Sequence, residues 1–211
     1  MIAEHQGRLQ ELISPWNINI EIETKVLTGI LFLEVIHEVL RNGHGLVFKT
    51  SESGALLNRV FGSDDMHLLR KCPCPVWLVK PESPKTYQTI LAAVDANDEY
   101  PSEELNTRHS LNHQILEMAS SLALSECAEL HIAHAWIAKY EGALRGAFIA
   151  RPEEEVASYV EEVREQHIQN MNELMSKTID KLGQDTLEYI KPNKHLLKGD
   201  PRKIIPAFAE E

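Results

Sequence analysis

The sequence predicts an α/β protein, a doubly wound parallel sheet laid out as two tandem units, both incomplete. Three observations predict it. Short apolar runs alternate with amphipathic helical stretches, which is the pattern of strands joined by helical crossovers. The alternation halts at Pro81-Glu82-Ser83-Pro84-Lys85-Thr86, a run of punctuating residues, and then starts again at Thr89. A weak internal repeat also sets Val26-Leu27-Thr28-Gly29 and the helix after it over Leu196-Leu197-Lys198-Gly199 and its helix, with Leu31 over Pro201 and Val35 over Ile205.

Each element follows from its own residues. Glu4 to Ile13 reads as the end of a helix with Leu9, Leu12 and Ile13 as its apolar stripe, terminated by Pro15. Ile18 to Glu23 alternates apolar and polar residues and predicts a strand with one buried face, within about residues 18–27. Leu31, Val35, Ile36, Val39 and Leu40 recur at helical spacing, and Asn42-Gly43 supplies a left-handed stop. A strand over 45–49 follows, then a polar loop. Ser63, Asp64 and Asp65 suit a helix N-terminus, and Arg70 and Lys71 suit its C-terminus. Pro73 and Pro75 end that helix, and 75–80 is the next strand. Beyond the linker, 89–95 is an apolar strand ending in an acid, Leu105 to Leu124 a helix, and 129–136 a strand. Pro152 to Leu182 is a long charged helix stopped by Gly183, 187–197 contains a strand, and Gly199-Asp200-Pro201 opens a last helix.

Composition bounds the function. The 211 residues carry a net charge of −11, which argues against nucleic acid or an anionic membrane as the main partner. Met1-Ile2-Ala3-Glu4-His5 does not have the pattern of a secretory leader, and Val26 to Ile36 is too short and too polar to span a bilayer. Three cysteines, an odd set, fit a reducing compartment, so the expected location is the cytoplasm.

The residues Gly62-Ser63, His67-Leu68-Leu69-Arg70-Lys71-Cys72-Pro73 and Cys74-Pro75-Val76, then a linker and the strand Ile90 to Asp95, carry a family resemblance. The chain resembles tandem universal stress proteins, most of all the two-domain E-type members. The resemblance implies a Rossmann-like unit of five parallel strands ordered 3-2-1-4-5. On that plan, 1–81 is the C-terminal part of a first unit, 82–88 a linker and 89–211 the N-terminal part of a second, so the chain is expected to be a fragment or a truncated member. The first unit's strands either pack poorly or pair with the second unit.

Nucleotide-binding members of that family carry Gly-x2-Gly-x9-Gly-Ser after the fourth strand. Counted back from Gly62 and Ser63, the first two glycine positions hold Lys49 and Glu52. Side chains there obstruct the backbone approach to phosphate, and Glu52 adds repulsion. The other nucleotide positions implied by the resemblance are Asp95, at the end of a strand, and Ala135. ATP is therefore a candidate cofactor with half a site. Val76, Trp77, Leu78 and Val79 form the strand that the resemblance implies as a pairing edge, within a homodimer or between units; Trp77 packing under a helix is the plainer alternative.

Other features read more simply. His109 and His113 have metal-ligand spacing but lack the Glu of a zinc protease motif, and a solvated helix face explains them. Cys72-Pro73-Cys74 is a helix-to-strand turn rather than a thioredoxin motif. His131 and His134 lie on opposite faces of one strand and cannot share a metal. Glu153, Glu154, Glu155, Glu161, Glu162 and Glu165 are the wet face of a helix. No catalytic or metal-ligating set is expected. Three readings remain: a non-enzymatic stress-response protein acting through pairing and a small ligand, a nucleotide-dependent switch or weak ATPase, and an interaction scaffold.

Overall fold

The computed structural model describes residues 2–16, 21–51, 64–146, 149, 151–182 and 188–210. The chain divides into two compact units, Met1–Pro84 and Lys85–Glu211. All described strand pairings are parallel. They form a two-stranded sheet, β1-β2, and a three-stranded sheet, β3-β4-β5.

The first unit contains α1 (Ile2–Ile13), α2 (Leu31–Asn42), β1 (Val47–Thr50), α3 (Asp64–Lys71) and β2 (Val76–Val79). Helix α2 ends where expected: Gly43 adopts φ +69° and donates its N–H to the Val39 carbonyl at 2.8 Å. Leu68 of α3 is fully buried, Val39 of α2 is nearly so, and Phe32 stacks on His67 between those helices at 4.3 Å. In the sheet, Val47 pairs with Val76 and Phe48 with Trp77.

The strand expected within 18–27 does not form over its described part. Residues 21–27 run as irregular backbone, while 18–20 lie outside the described residues. Alternation alone cannot make a strand, because the backbone groups need a neighbouring strand to bond. Here Gln6 of α1 bonds the Thr24 carbonyl at 2.9 Å, and Lys25 pairs with Glu38 of α2 at 2.7 Å.

The second unit contains β3 (Thr89–Val94), α4 (Ser102–Glu126), β4 (Glu129–Trp136), α5 (Glu141–Arg145), α6 (Glu153–Leu182), β5 (Asn193–Lys198) and α7 (Pro201–Ala209). Strand β5 starts later than the expected 187–197, because Lys191 takes φ +46° and Pro192 has no N–H to give a ladder. Strand β4 is central and buried on both faces. Leu130 and Ile132 pack with Ala92 and Val94 of β3, Leu116 and Ala123 of α4, and Met171, Leu174 and Met175 of α6. On the other face of β4, His131 meets His195 of β5 and Phe208 of α7. Helices thus cover both faces of a parallel sheet, the doubly wound arrangement.

Candidate functional site

A cleft of about 870 Å³ opens at the carboxyl ends of β3 and β4, bounded by α4, α6 and the start of α7. In open α/β sheets the chain reverses direction around such ends and leaves a crevice there. Asp95 and Ala135, the two positions proposed from the sequence in this unit, both line it. Gly62 and Ser63 lie outside the described residues, as does Glu52.

Asp95 is held through both its carboxylate and its backbone. Its carboxylate accepts a hydrogen bond from Arg108 of α4 at 2.8 Å and from the Tyr100 hydroxyl at 2.9 Å. The Arg108 guanidinium also lies over the Tyr100 ring, 3.5 Å from its centroid. Burial, followed by the hydrogen bond and negative charge of Asp95, raises the Tyr100 hydroxyl above its usual pKa. Below them, buried Asn112 locks the backbone. Its side-chain oxygen accepts from the Asp95 N–H at 3.0 Å and its amide donates to the Asp95 carbonyl at 2.7 Å. Glu104, Arg108 and Asn112 are four residues apart, so one face of α4 supplies all three.

The rim joins the two strand-end loops: Lys139, after β4, pairs with Glu99, after β3. Tyr140 and Tyr159 form a tilted ring pair at 6.4 Å beside it. The floor carries a histidine pair. His134 Nε2 lies 2.9 Å from His167 Nδ1, while His134 Nδ1 lies 3.3 Å from both the Ala96 N–H and the Val94 carbonyl. If Nδ1 accepts from Ala96, His134 donates to His167; if Nδ1 donates to Val94, His167 donates to His134. The two arrangements differ in whether the outer nitrogen of His167, a cleft-lining residue, carries a proton. Burial is the leading cause that lowers both imidazoles below their ordinary pKa.

The remaining sequence candidates are dispersed. Lys49 of β1 pairs with Asp65 of α3 at 2.7 Å, both side chains largely shielded from water. Trp77 of β2 is half-buried and stacks on Phe48 at 5.0 Å, and Val76, Leu78 and Val79 are also half-buried. His113 is not part of a solvated face: its ring lies 3.4 Å from the buried Thr178 hydroxyl of α6, while His109 is exposed. The acids of α6 named above are exposed. No group of three His, Cys, Asp or Glu side chains placed to hold a metal occurs among the described residues. No described helix is long and apolar enough to cross a membrane.

No protein-family model matches the chain. Individual relatives do. The chain is 32% identical over 198 residues to universal stress protein E of Escherichia coli K12, across 92% of its own length and 57% of that protein. It is 28% identical over 215 residues to the universal stress protein E homolog of Haemophilus influenzae, across 100% of its own length and 64% of that protein. The chain belongs to the universal stress protein family. It spans less than two thirds of these universal stress relatives. Two solved structures share the fold at 22% identity: a functionally unknown protein of Pseudomonas aeruginosa PAO1 (TM-score 0.67) and a candidate universal stress protein of strain UCBPP-PA14 (TM-score 0.66). Each match covers 98% of this chain and 63% of the other. The fold is accordingly the Rossmann-like α/β fold of universal stress proteins.

Proposed function

We propose that this chain is a non-enzymatic, cytoplasmic stress-response protein. It binds a small, largely apolar ligand in the cleft of its second unit and pairs with another universal stress unit through β2. Membership of the family supports the stress-response role. The observation that carries the ligand reading is the cleft itself, about 870 Å³ at the carboxyl edge of a parallel sheet, with aromatic and aliphatic walls. The absence of catalysis is supported by the state of its charged groups: Asp95 is taken up by Arg108 and Tyr100, and Glu99 by Lys139. None of these five is poised as a base or nucleophile. In the first unit, Lys49 at a glycine position is committed to Asp65, which supports a degenerate nucleotide loop.

A second reading, a nucleotide-dependent switch or weak ATPase, draws support from Asp95 and Ala135 sharing one cleft. Calorimetric titration of the chain with ATP, with and without magnesium, separates the two when run beside an environment-sensitive apolar dye. Dye binding that shifts Trp136 fluorescence, with no heat from ATP, is the expected outcome. Micromolar ATP binding that is lost in Asp95→Ala would establish the second reading instead.

A further inference from the structure

Cys72 and Cys74 occupy the turn between α3 and β2 in the first unit. Their sulfurs lie 3.7 Å apart, in contact, and both residues are half-buried. Two residues separated by one other span at most about 7 Å, so their Cα atoms lie within reach of a disulfide, which tolerates roughly 4.4–6.8 Å. Pro73 between them fixes one backbone angle and helps hold both side chains on the same side of the turn. The third cysteine, Cys127, caps the end of α4 in the second unit and is exposed.

We propose that Cys72 and Cys74 form a reversible redox site, closed to a disulfide by a peroxide. In the first step the Cys72 sulfur attacks one peroxide oxygen: an S–O bond forms, the O–O bond breaks, and hydroxide leaves with the Cys72 thiol proton as water. In the second, the Cys74 sulfur attacks the Cys72 sulfur. The S–S bond forms, the S–O bond breaks, and a second water departs with the Cys74 thiol proton. Two electrons pass from the two thiols to one peroxide, and a dithiol returns them on reduction.

The proton inventory sets the rate. Burial, and then the hydrogen bond to Cys72, pushes the Cys74 thiol up to about 11, so it stays protonated at neutral pH and closure speeds up in alkali. Closure also has a structural address. Pro75 follows Cys74 directly, and its carbonyl accepts the Val47 N–H at 3.0 Å, the hydrogen bond that begins the β1-β2 ladder. The redox state of the turn is therefore read at the start of that sheet.

The test begins with the unaltered chain and adds two cysteine variants. The intact chain is exposed to hydrogen peroxide, quenched with a maleimide and digested with trypsin. Residues 72–85 then carry both thiols on one peptide, because Pro81 blocks cleavage after Lys80. The expected product is that peptide lighter by two hydrogens and unalkylated, restored by dithiothreitol and formed faster as the pH rises. Cys127→Ser should leave it unchanged, and Cys72→Ser should abolish it. Three alkylated thiols after peroxide treatment, sulfinic acid without a crosslink, or crosslinks only between chains through Cys127 would each overturn the proposal. The cleft and its ligand have no part in the experiment, so its outcome is independent of the function proposed above.

Discussion

Asn112 shows how much one buried amide can organise. It satisfies both backbone groups of Asp95 at once, and so ties the middle of α4 to the end of β3. Asn112→Ala leaves a shielded N–H and C=O without partners, a loss of about 1–3 kcal/mol that urea unfolding should register. Arg108→Ala has a different expected effect. Its side chain is about one third exposed, so stability should change little. The Asp95 carboxylate, however, loses its cation, and the Tyr100 ring loses the group stacked on it. Binding of the apolar dye should change in affinity while the melting temperature holds; unchanged binding would detach Arg108 from the site. Asp95 and Ala135 were legible in the sequence only through the family resemblance. Arg108 and Asn112 left a weaker sign, the four-residue spacing from Glu104. His167 left none, because a histidine in the middle of a charged helix looks like its solvated neighbours until β4 is placed beneath it.

The two copies of the repeated turn show what sequence can and cannot fix at the scale of elements. Gly29 and Gly199 adopt nearly the same backbone, φ +146° and +147°, and each is followed by a helix starting two residues later. The repeat seen in the sequence is a repeat of structure. Yet 196–198 forms a strand and 26–27 does not, because β5 lies against β4 while no described strand flanks 26–27. The longer helices and the glycine turns were readable from local residues, whereas the short α5 falls in a stretch that reads as a loop. The strand expected within 18–27 does not form over 21–27 because strand formation depends on a neighbour, which periodicity does not reveal. The turn itself demands glycine. Gly199→Ala forces an L-residue into a region almost reserved for glycine and should cost about 1–3 kcal/mol. Clearance around that position is ordinary, with the nearest heavy atom 3.6 Å from an added Cβ, so the cost is in the backbone. A packing change gives a comparison. Leu68→Ala empties a fully buried site between helix and sheet and should cost about 2–5 kcal/mol. A loss under about 1 kcal/mol would mean that the first unit collapses around the gap.

For the molecule as a whole, the histidines beneath the cleft couple folding to pH. His134 and His167 both have pKa values below the ordinary 6.5, burial being the first cause in each. Around them, Asp95, Asp98 and Glu99 favour the charged form of one or both, while Lys139 and the histidines' mutual repulsion oppose it, yet the net shift remains downward. An unfolded chain releases these rings to water, where they take up protons near 6.5. Between the lowered folded pKa and 6.5 the unfolded state therefore binds more protons, and stability rises with pH across that interval. Stability is complete above about 6.5, falls as the pH drops below it, and levels off once the folded pair is itself protonated. Thermal melts taken from about pH 8 to about pH 5 should show this decline. Glu38 and Glu141, held below the usual carboxylate range chiefly by their hydrogen bonds to Lys25 and Lys198, lose their share at more acid pH. His167→Gln, which keeps a hydrogen-bonding group at that position and cannot take a charge near neutrality, should flatten the part of the curve just below 6.5. An equal slope in the variant would assign the pH response to groups elsewhere. A flatter slope, with dye affinity that no longer varies over the same pH range, would place the titrating pair at the cleft and make ligand affinity itself pH-dependent.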